Sequence, residues 1–227
     1  MSNLEEKWLE DDIMSIRERA YRYLKSLILK GEFKPGARLI ERELASKLNI
    51  SRTPIREAMF RLESEGFVKT VPRRGVIVSD ISVNEIIEVF TILSSLEVLA
   101  AKLAAQRMDE ETQIIISNQI AELEKFLNDP NDDFENSHID MNLLLYKAAK
   151  SPKLYSILSG LTDYIQMSAN LGYETPGRKE ESMQEHLNIM RALRDKEVEL
   201  AEYLTKIHIE NSKKAFIHSV EKMKEEK

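Results

Sequence analysis

Four side chains within residues 51–56 have the chemistry needed to bind a nucleic acid: Ser51, Arg52, Thr53 and Arg56. An arginine can donate two hydrogen bonds to the edge of a guanine, and Ser or Thr hydroxyls suit phosphate oxygens. Two further arginines, Arg73 and Arg74, precede Gly75, which has no Cβ and lets the backbone approach a surface closely. A single arginine is usually a solvated surface charge, but this set predicts contact with DNA.

The second group of residues whose side chains could do chemistry consists of the four histidines, which can bind metal ions: His138, His186, His208 and His218. His138 and Asn142 are four residues apart, which places them on one face of a helix. His218 follows His208 by about 15 Å along a helix axis, so these two cannot share a site. Three histidines on three helices could hold Zn²⁺ or Ni²⁺. They could equally be core or surface histidines bonded to backbone or water.

The elements that position the arginines follow one another in a recognisable order. Apolar residues at helical spacing predict a helix over residues 15–30 and a shorter one over about 41–48. Ser51 is a favourable N-cap for a helix that ends near Glu65. Two β-branched segments flank Pro72-Arg73-Arg74 and predict a hairpin. This is the order of a winged helix-turn-helix, whose helix after the turn enters the major groove.

The remainder of the chain predicts about six helices and no strand. Ser82 and Glu85 have the spacing of a capping box at the start of the first helix. Its apolar stripe is Ile86, Phe90, Leu93, Leu96, Leu99, Ala100 and Leu103. The others run over about 110–127, 133–150, 151–171, 179–194 and 196–222, with a loop at 172–177. Short connections predict an antiparallel bundle, and the fold class is therefore mainly α.

Composition agrees with this division and excludes several classes of protein. The 227 residues carry a net charge of −6, yet residues 15–80 hold 15 Lys and Arg against 8 Asp and Glu. We expect an acidic extension at 1–14, a DNA-binding domain at 15–80 and a helical domain at 81–227. The absence of cysteine excludes disulfides and thiolate zinc sites and suits the cytoplasm. No apolar run predicts a membrane span or a signal peptide.

The motifs GEFKPGARLIERELA, SRTPIREA, LESEGFV and RRGVIV occur in this order. Over about residues 16–80 the chain resembles the DNA-binding domain of the GntR superfamily of bacterial regulators. The resemblance implies that the DNA contacts are Arg38, Arg42, Ser51, Arg52, Thr53, Arg56, Arg74 and Gly75. Gly75 and Arg74 would enter the minor groove, and Arg38 would contact a phosphate.

The motifs LEVLAAKLAA and KSPKLYSIL, with the histidine spacing, resemble the FCD-type ligand-binding domain of the FadR-like branch. Many members of this branch bind a metal through an Asp-x3-His pair and two later histidines. His186 and His208 match the later positions, whereas His138 and Asn142 replace the Asp and the His. The resemblance implies one Zn, Ni or Mn ion at these four residues, with the effector nearby. An Asn carbonyl is a weak ligand for such a metal, and the carboxylate charge is lost.

One further departure concerns the effector. Leu93 stands where relatives often have an arginine that helps to hold a carboxylate effector, which leaves room for another small molecule.

The predicted function is a bacterial transcription regulator, a repressor that binds a double-stranded palindromic operator as a homodimer and responds to a small molecule. A metal-ion-responsive regulator without an organic effector is the alternative. An enzyme is not expected, because the chain contains no HExxH, nucleophile elbow or phosphate loop.

Two questions stay open at this level. A purely architectural DNA binder would need no cavity, and the polar inward positions His208 and Asn211 would then be unexplained. Trp8, in the acidic extension, could pack on the first helix or on a partner subunit, or could be loosely ordered.

Overall fold

The structure is a computed structural model that describes residues 14–80, 82–128, 137–169 and 177–225, with the side chains of 137–140, 167–169 and 223–225 excepted. The chain forms two compact units, Met1–Ile81 and Ser82–Lys227. The predictions for Trp8, for the extension at 1–13 and for loop residues 172–176 lie outside the described residues.

The first unit contains three helices and a hairpin. The helices are α1 (Ile16–Leu29), α2 (Glu41–Lys47) and α3 (Arg52–Ser64), and the strands are β1 (Val68–Val71) and β2 (Gly75–Val78). Helix α3 packs against α1 and α2, and the core includes Leu24, Leu27, Ile55, Met59, Leu62 and Phe67. Asn49, in the connection between α2 and α3, has a φ of 52°, a left-handed conformation that Asn adopts more readily than most residues.

The wing is an antiparallel hairpin with a short third segment beside it. Strands β1 and β2 pair Val68 with Val78 and Val71 with Gly75. On the other edge of β2, the backbone N–H of Leu39 donates to Val76 O at 2.9 Å. Arg38 forms an isolated bridge with Ile77, so the chain before α2 is fixed against the wing.

The second unit consists, in its described residues, of helices α4 (Val83–Gln106), α5 (Glu110–Asn128), α6 (Ser137–Ala148), α7 (Pro152–Ala169), α8 (Arg178–Arg194) and α9 (Val198–Glu225). Helix α4 is central and packs against α6, α7, α8 and α9. The predicted capping box of Ser82 and Glu85 is present at its start. The expected mainly α fold, with a winged helix-turn-helix and a helical second unit, is confirmed.

One local prediction holds in part and two were wrong. Ser51 occupies the predicted N-cap position of α3, but its side chain makes no capping hydrogen bond. Ile16 is one of the apolar residues whose helical spacing predicted an inward stripe on α1, but it is 52% exposed and lies in the first turn of the helix. Leu99, expected on the inward stripe of α4, is 42% exposed.

Candidate functional site

The beginning of α3 presents the predicted DNA-contacting side chains to solvent. Ser51, Arg52 and Thr53 are exposed, whereas Ile55, Ala58, Met59 and Leu62 of the same helix are buried. Since the Ser51 hydroxyl does not cap the helix, it is available to an external acceptor or donor. Phosphate oxygens and base edges can be bound by the groups that lie here, which are a hydroxyl, a guanidinium and the backbone N–H groups at the beginning of a helix.

Arg56, one turn further along α3, is exposed but bound to the preceding helix. Its Nε donates to Glu41 Oε1 at 3.0 Å and its Nη2 donates to Glu41 Oε2 at 2.8 Å. These hydrogen bonds lower the pKa of Glu41 below its ordinary value and raise the pKa of Arg56. Arg52 also lowers the pKa of Glu41 through its charge, which places one carboxylate beside two of the predicted DNA-binding arginines.

The wing brings Arg38 and Gly75 together. A Cβ at Gly75 would lie 3.5 Å from Arg38 Nε and 3.7 Å from Arg38 Nη2. Gly75 has a φ of 78°, in the left-handed region that favours glycine. The exposed arginines of this unit's predicted interface are Arg38, Arg42, Arg52, Arg56 and Arg74. The structure thus places Arg38, the predicted phosphate contact, beside Gly75 at the tip of the wing, which is predicted to enter the minor groove.

Two of the predicted metal ligands meet inside the second unit. His186 on α8 and His208 on α9 are 2% and 3% exposed, and their ring centroids are 4.2 Å apart. Asn142 on α6 is also buried, and its Oδ1 has no hydrogen-bond partner among the described residues. His138 begins the same helix, but its side chain lies outside the described residues. His218 is exposed, and its distance of about 15 Å from His208 along the helix axis excludes it from the same site.

A half-buried carboxylate holds His208 in place. Glu185 Oε2 lies 2.7 Å from His208 Nδ1, and Glu185 also accepts from both Nη atoms of Arg178 at 3.0 and 2.8 Å. Asn211 adds a further donor at 2.7 Å. Burial raises the pKa of Glu185, but these hydrogen bonds outweigh it and lower the pKa to about 2. Because Glu185 engages Nδ1, a metal or ligand would meet His208 at Nε2.

Two buried hydroxyls flank the histidines. Ser182 lies one turn before His186, Thr205 lies three residues before His208, and both are at most 1% exposed. Neither Ser182 Oγ nor Thr205 Oγ1 has a hydrogen-bond partner among the described residues. Buried polar groups are normally satisfied by protein or by water, so these atoms mark a place where water or a ligand completes the interior.

The bundle contains a second buried polar cluster. Glu97 on α4 is 2% exposed and accepts a short hydrogen bond from Tyr146 of α6, whose hydroxyl lies 2.8 Å from Thr162 Oγ1 of α7. Burial raises the pKa of Glu97 to about 7, although the Tyr146 hydrogen bond lowers it in part. Burial and the Glu97 charge raise the pKa of Tyr146 as well. Tyr146 lies one turn after Asn142 on α6, so the two side chains share one face of that helix.

The described residues supply some of the donors that a metal site needs. The part of the chain that the structure describes has no group of three or more His, Cys, Asp or Glu able to hold a metal ion. It does supply two imidazoles and the buried amide oxygen of Asn142. Imidazole suits Zn²⁺ and Ni²⁺ better than Mn²⁺, so these two metals match the described donors best.

Sequence reasoning missed Glu41, Glu97 and Glu185. The sequence did contain a signal for the Arg178–Glu185 ion pair, because the two residues are seven apart and therefore lie two turns apart on one helix face. Glu41 and Glu97 carried no such local signal. Their partners Arg56 and Tyr146 are 15 and 49 residues away.

Comparison with known proteins gives two family matches. Residues 16–78 match the family described as bacterial regulatory proteins, gntR family, and residues 88–211 match the FCD domain. The chain is 31% identical over 207 residues to the uncharacterized HTH-type transcriptional regulator YdhC of Bacillus subtilis, covering 90% of this chain and 92% of that protein. It is 25% identical to the HTH-type transcriptional repressor RspR of Escherichia coli, covering 86% of each.

A solved structure shows the same fold. The structure of E. coli McbR/YncC covers 87% of this chain and 95% of its own, with a TM-score of 0.73 and 24% identity. Among the helices that the structure describes, none has both the length and the apolar character needed to cross a membrane.

Proposed function

Because the chain belongs to the GntR family of bacterial regulatory proteins, we propose that this transcriptional regulator is a repressor acting in the cytoplasm. It has no enzymatic activity, binds a palindromic operator as a homodimer and is controlled by a small molecule. We assign DNA binding to residues 15–80, and effector binding and dimerisation to 81–227. The name of its relative RspR, a transcriptional repressor, supports repression over activation.

The observation that carries the DNA-binding assignment is the exposed start of α3, where Ser51, Arg52 and Thr53 project from a helix whose other face is buried. We expect Arg52→Ala to weaken binding by about 1–3 kcal/mol and to relax the sequence preference. The ligand is a duplex enriched by the wild-type protein from a random-sequence library, and the readout is the dissociation constant. Arg191→Ala removes a half-exposed arginine of the other unit and is the control. Equal binding by wild type and Arg52→Ala contradicts the assignment.

The homodimer is supported by an apolar strip on the surface of α4. Ile92 and Leu99 are 45% and 42% exposed and are seven residues apart, so they lie on one face of the helix. A palindromic operator requires a two-fold dimer. Leu99→Glu should convert the dimer into a monomer, which sedimentation equilibrium measures, and should weaken operator binding at low protein concentration. A variant that stays dimeric would place the interface elsewhere.

The effector site is assigned to the buried polar atoms around His186 and His208. Ser182 and Thr205 have hydroxyls without partners in the described residues, and a ligand can satisfy them at little cost. By linkage, an effector that releases the operator must bind the DNA-bound protein more weakly. We expect Thr205→Val to keep the stability of the protein without effector and to weaken any compound that a thermal-shift screen identifies. Unchanged affinity for that compound would move the site away from Thr205.

A metal at the same place is the second candidate, with the ion itself as the signal. The favouring observations are the pair of buried imidazoles and the buried Asn142 oxygen, which has no hydrogen-bond partner among the described residues. The predicted ligands are His138, Asn142, His186 and His208, and a Zn or Ni ion would be the cofactor. Elemental mass spectrometry on protein purified without tag or chelator tests this assignment. About one ion per chain, with operator affinity that changes on chelation, supports it; no ion after incubation with excess metal contradicts it.

A further inference from the structure

The Glu41–Arg56 ion pair lies within the predicted DNA interface and is solvent-exposed. The Arg56 side chain is 69% exposed and the Glu41 side chain is 32% exposed. Exposed ion pairs contribute little to the free energy of unfolding. A carboxylate among the arginines of a phosphate-binding surface also opposes binding to DNA in general, because it repels phosphate. Apart from a modest interaction with the dipole of α2, neither fold stability nor general DNA affinity accounts for Glu41.

The geometry of the pair shows what Glu41 can do. A guanidinium has a side edge, formed by Nε and Nη2, and an end edge, formed by the two Nη atoms. Glu41 binds the side edge through two hydrogen bonds of 3.0 and 2.8 Å. The end edge is the one left to donate to O6 and N7 of a guanine, the commonest specific contact of arginine in the major groove.

We propose that Glu41 is a positioning residue for sequence readout, which fixes the Arg56 guanidinium so that its end edge meets a guanine and which keeps Arg56 from phosphate. This inference rests on the proposed placement of α3 in the major groove. A long arginine side chain loses rotamer freedom when it binds, and prior fixation reduces that loss. The negative charge of Glu41 at the same time weakens binding to duplexes that lack the matching base.

The chain offers a matched control for Glu41. Glu43 is exposed and lies two residues further along α2. Both glutamates belong to the first turn of this helix, so Glu41→Gln and Glu43→Gln remove the same charge and the same favourable interaction with the helix dipole. Only Glu41→Gln breaks the two-point contact with Arg56.

The test measures dissociation constants over a range of salt concentrations for two probes. One is the duplex enriched by the wild-type protein, and the other is a random-sequence duplex of the same length. For Glu41→Gln we expect the ratio of the two affinities to fall by about tenfold. The random duplex should bind more tightly, with a salt dependence steeper by about one phosphate contact. Glu43→Gln should keep the ratio.

A base analogue identifies the contact directly. Replacing each guanine of the enriched duplex in turn by 7-deazaguanine removes the N7 acceptor. The wild-type protein should lose affinity at a guanine where Glu41→Gln is insensitive. Arg56→Lys, which cannot bind with two parallel hydrogen bonds, should show the same insensitivity, and the double variant should add nothing further.

The proposal is overturned if Glu41→Gln and Glu43→Gln keep the same affinity ratio, since Glu41 would then act only as a charge. Arg52→Ala separates this failure from that of the proposed function. If Arg52→Ala lowers the ratio and Glu41→Gln does not, only the role of Glu41 is wrong. If neither changes the ratio, the placement of α3 is wrong as well.

Discussion

The buried carboxyl of Glu97 makes the stability of the second unit depend on pH in a direction opposite to that of most carboxylates. Burial raises its pKa from an ordinary value of 4.5 to about 7. Between these values the folded protein keeps a proton that the unfolded chain releases. The free energy of unfolding therefore falls as pH rises through this range and is constant above it, as far as this group is concerned.

The magnitude follows from the two pKa values. A tenfold change in proton affinity corresponds to about 1.4 kcal/mol, so the contribution of Glu97 lost between pH 4.5 and neutral pH is about 3 kcal/mol. Full burial at 2% exposure means that solvent screens this effect little. For a unit of this size, about 3 kcal/mol corresponds to a shift in the unfolding temperature of roughly 6–12 °C.

Glu97→Gln isolates this contribution, because the amide oxygen can still accept from Tyr146 while the titratable group is gone. Scanning calorimetry of both proteins from pH 5 to pH 8 gives the wild-type stability relative to the variant, a difference in which other titrating groups cancel. The wild type should lose about 2.5 kcal/mol relative to the variant over this range, most of it below pH 7. A difference that is flat with pH would refute the reasoning.

Tyr146→Phe is the complementary variant. The Tyr146 hydrogen bond lowers the pKa of Glu97, so its removal should carry the loss of stability to higher pH. A loss that moved to lower pH would show that Tyr146 stabilises the protonated form of Glu97 instead.

Further expectations concern the wing and the Arg178–Glu185 pair. Gly75→Ala should cost about 1–3 kcal/mol of stability through its φ of 78°. It should also weaken operator binding, because the new methyl stands where the wing backbone is predicted to approach the minor groove; calorimetry and dissociation constants measure the two effects. Glu185→Gln should destabilise the protein by roughly 3 kcal/mol, because it removes the nearer and less exposed of the two carboxylates that face the buried Arg178. Glu181→Gln, whose carboxylate lies 3.8 Å from Arg178 and is 72% exposed, should change the unfolding temperature little.

Local patterns predicted the elements of the first unit well, because those elements depend on contacts between neighbours in sequence. Helix periodicity and turn residues gave three helices and a hairpin close to their observed bounds, and the spacing of Ser82 and Glu85 predicted a capping box that is present. The Glu41–Arg56 pair was missed, although both residues lie in predicted helices, because its partners meet only across the turn between α2 and α3. Spacing within one helix carries no information on such a contact.

Helix α4 shows where periodicity fails and why. The apolar stripe predicted Leu99 inside and passed over Glu97, but Glu97 is 2% exposed and Leu99 is 42% exposed. Glu97 can be buried because Tyr146, 49 residues away, donates to it, and burial of a carboxyl without such a partner is costly. Leu99 is exposed on a helix that packs against four others, and its face is the one to which we assign the proposed dimer interface. Both departures from the pattern fall where the proposed function needs them, at a polar interior and at a dimer surface, as expected when function overrides a local rule.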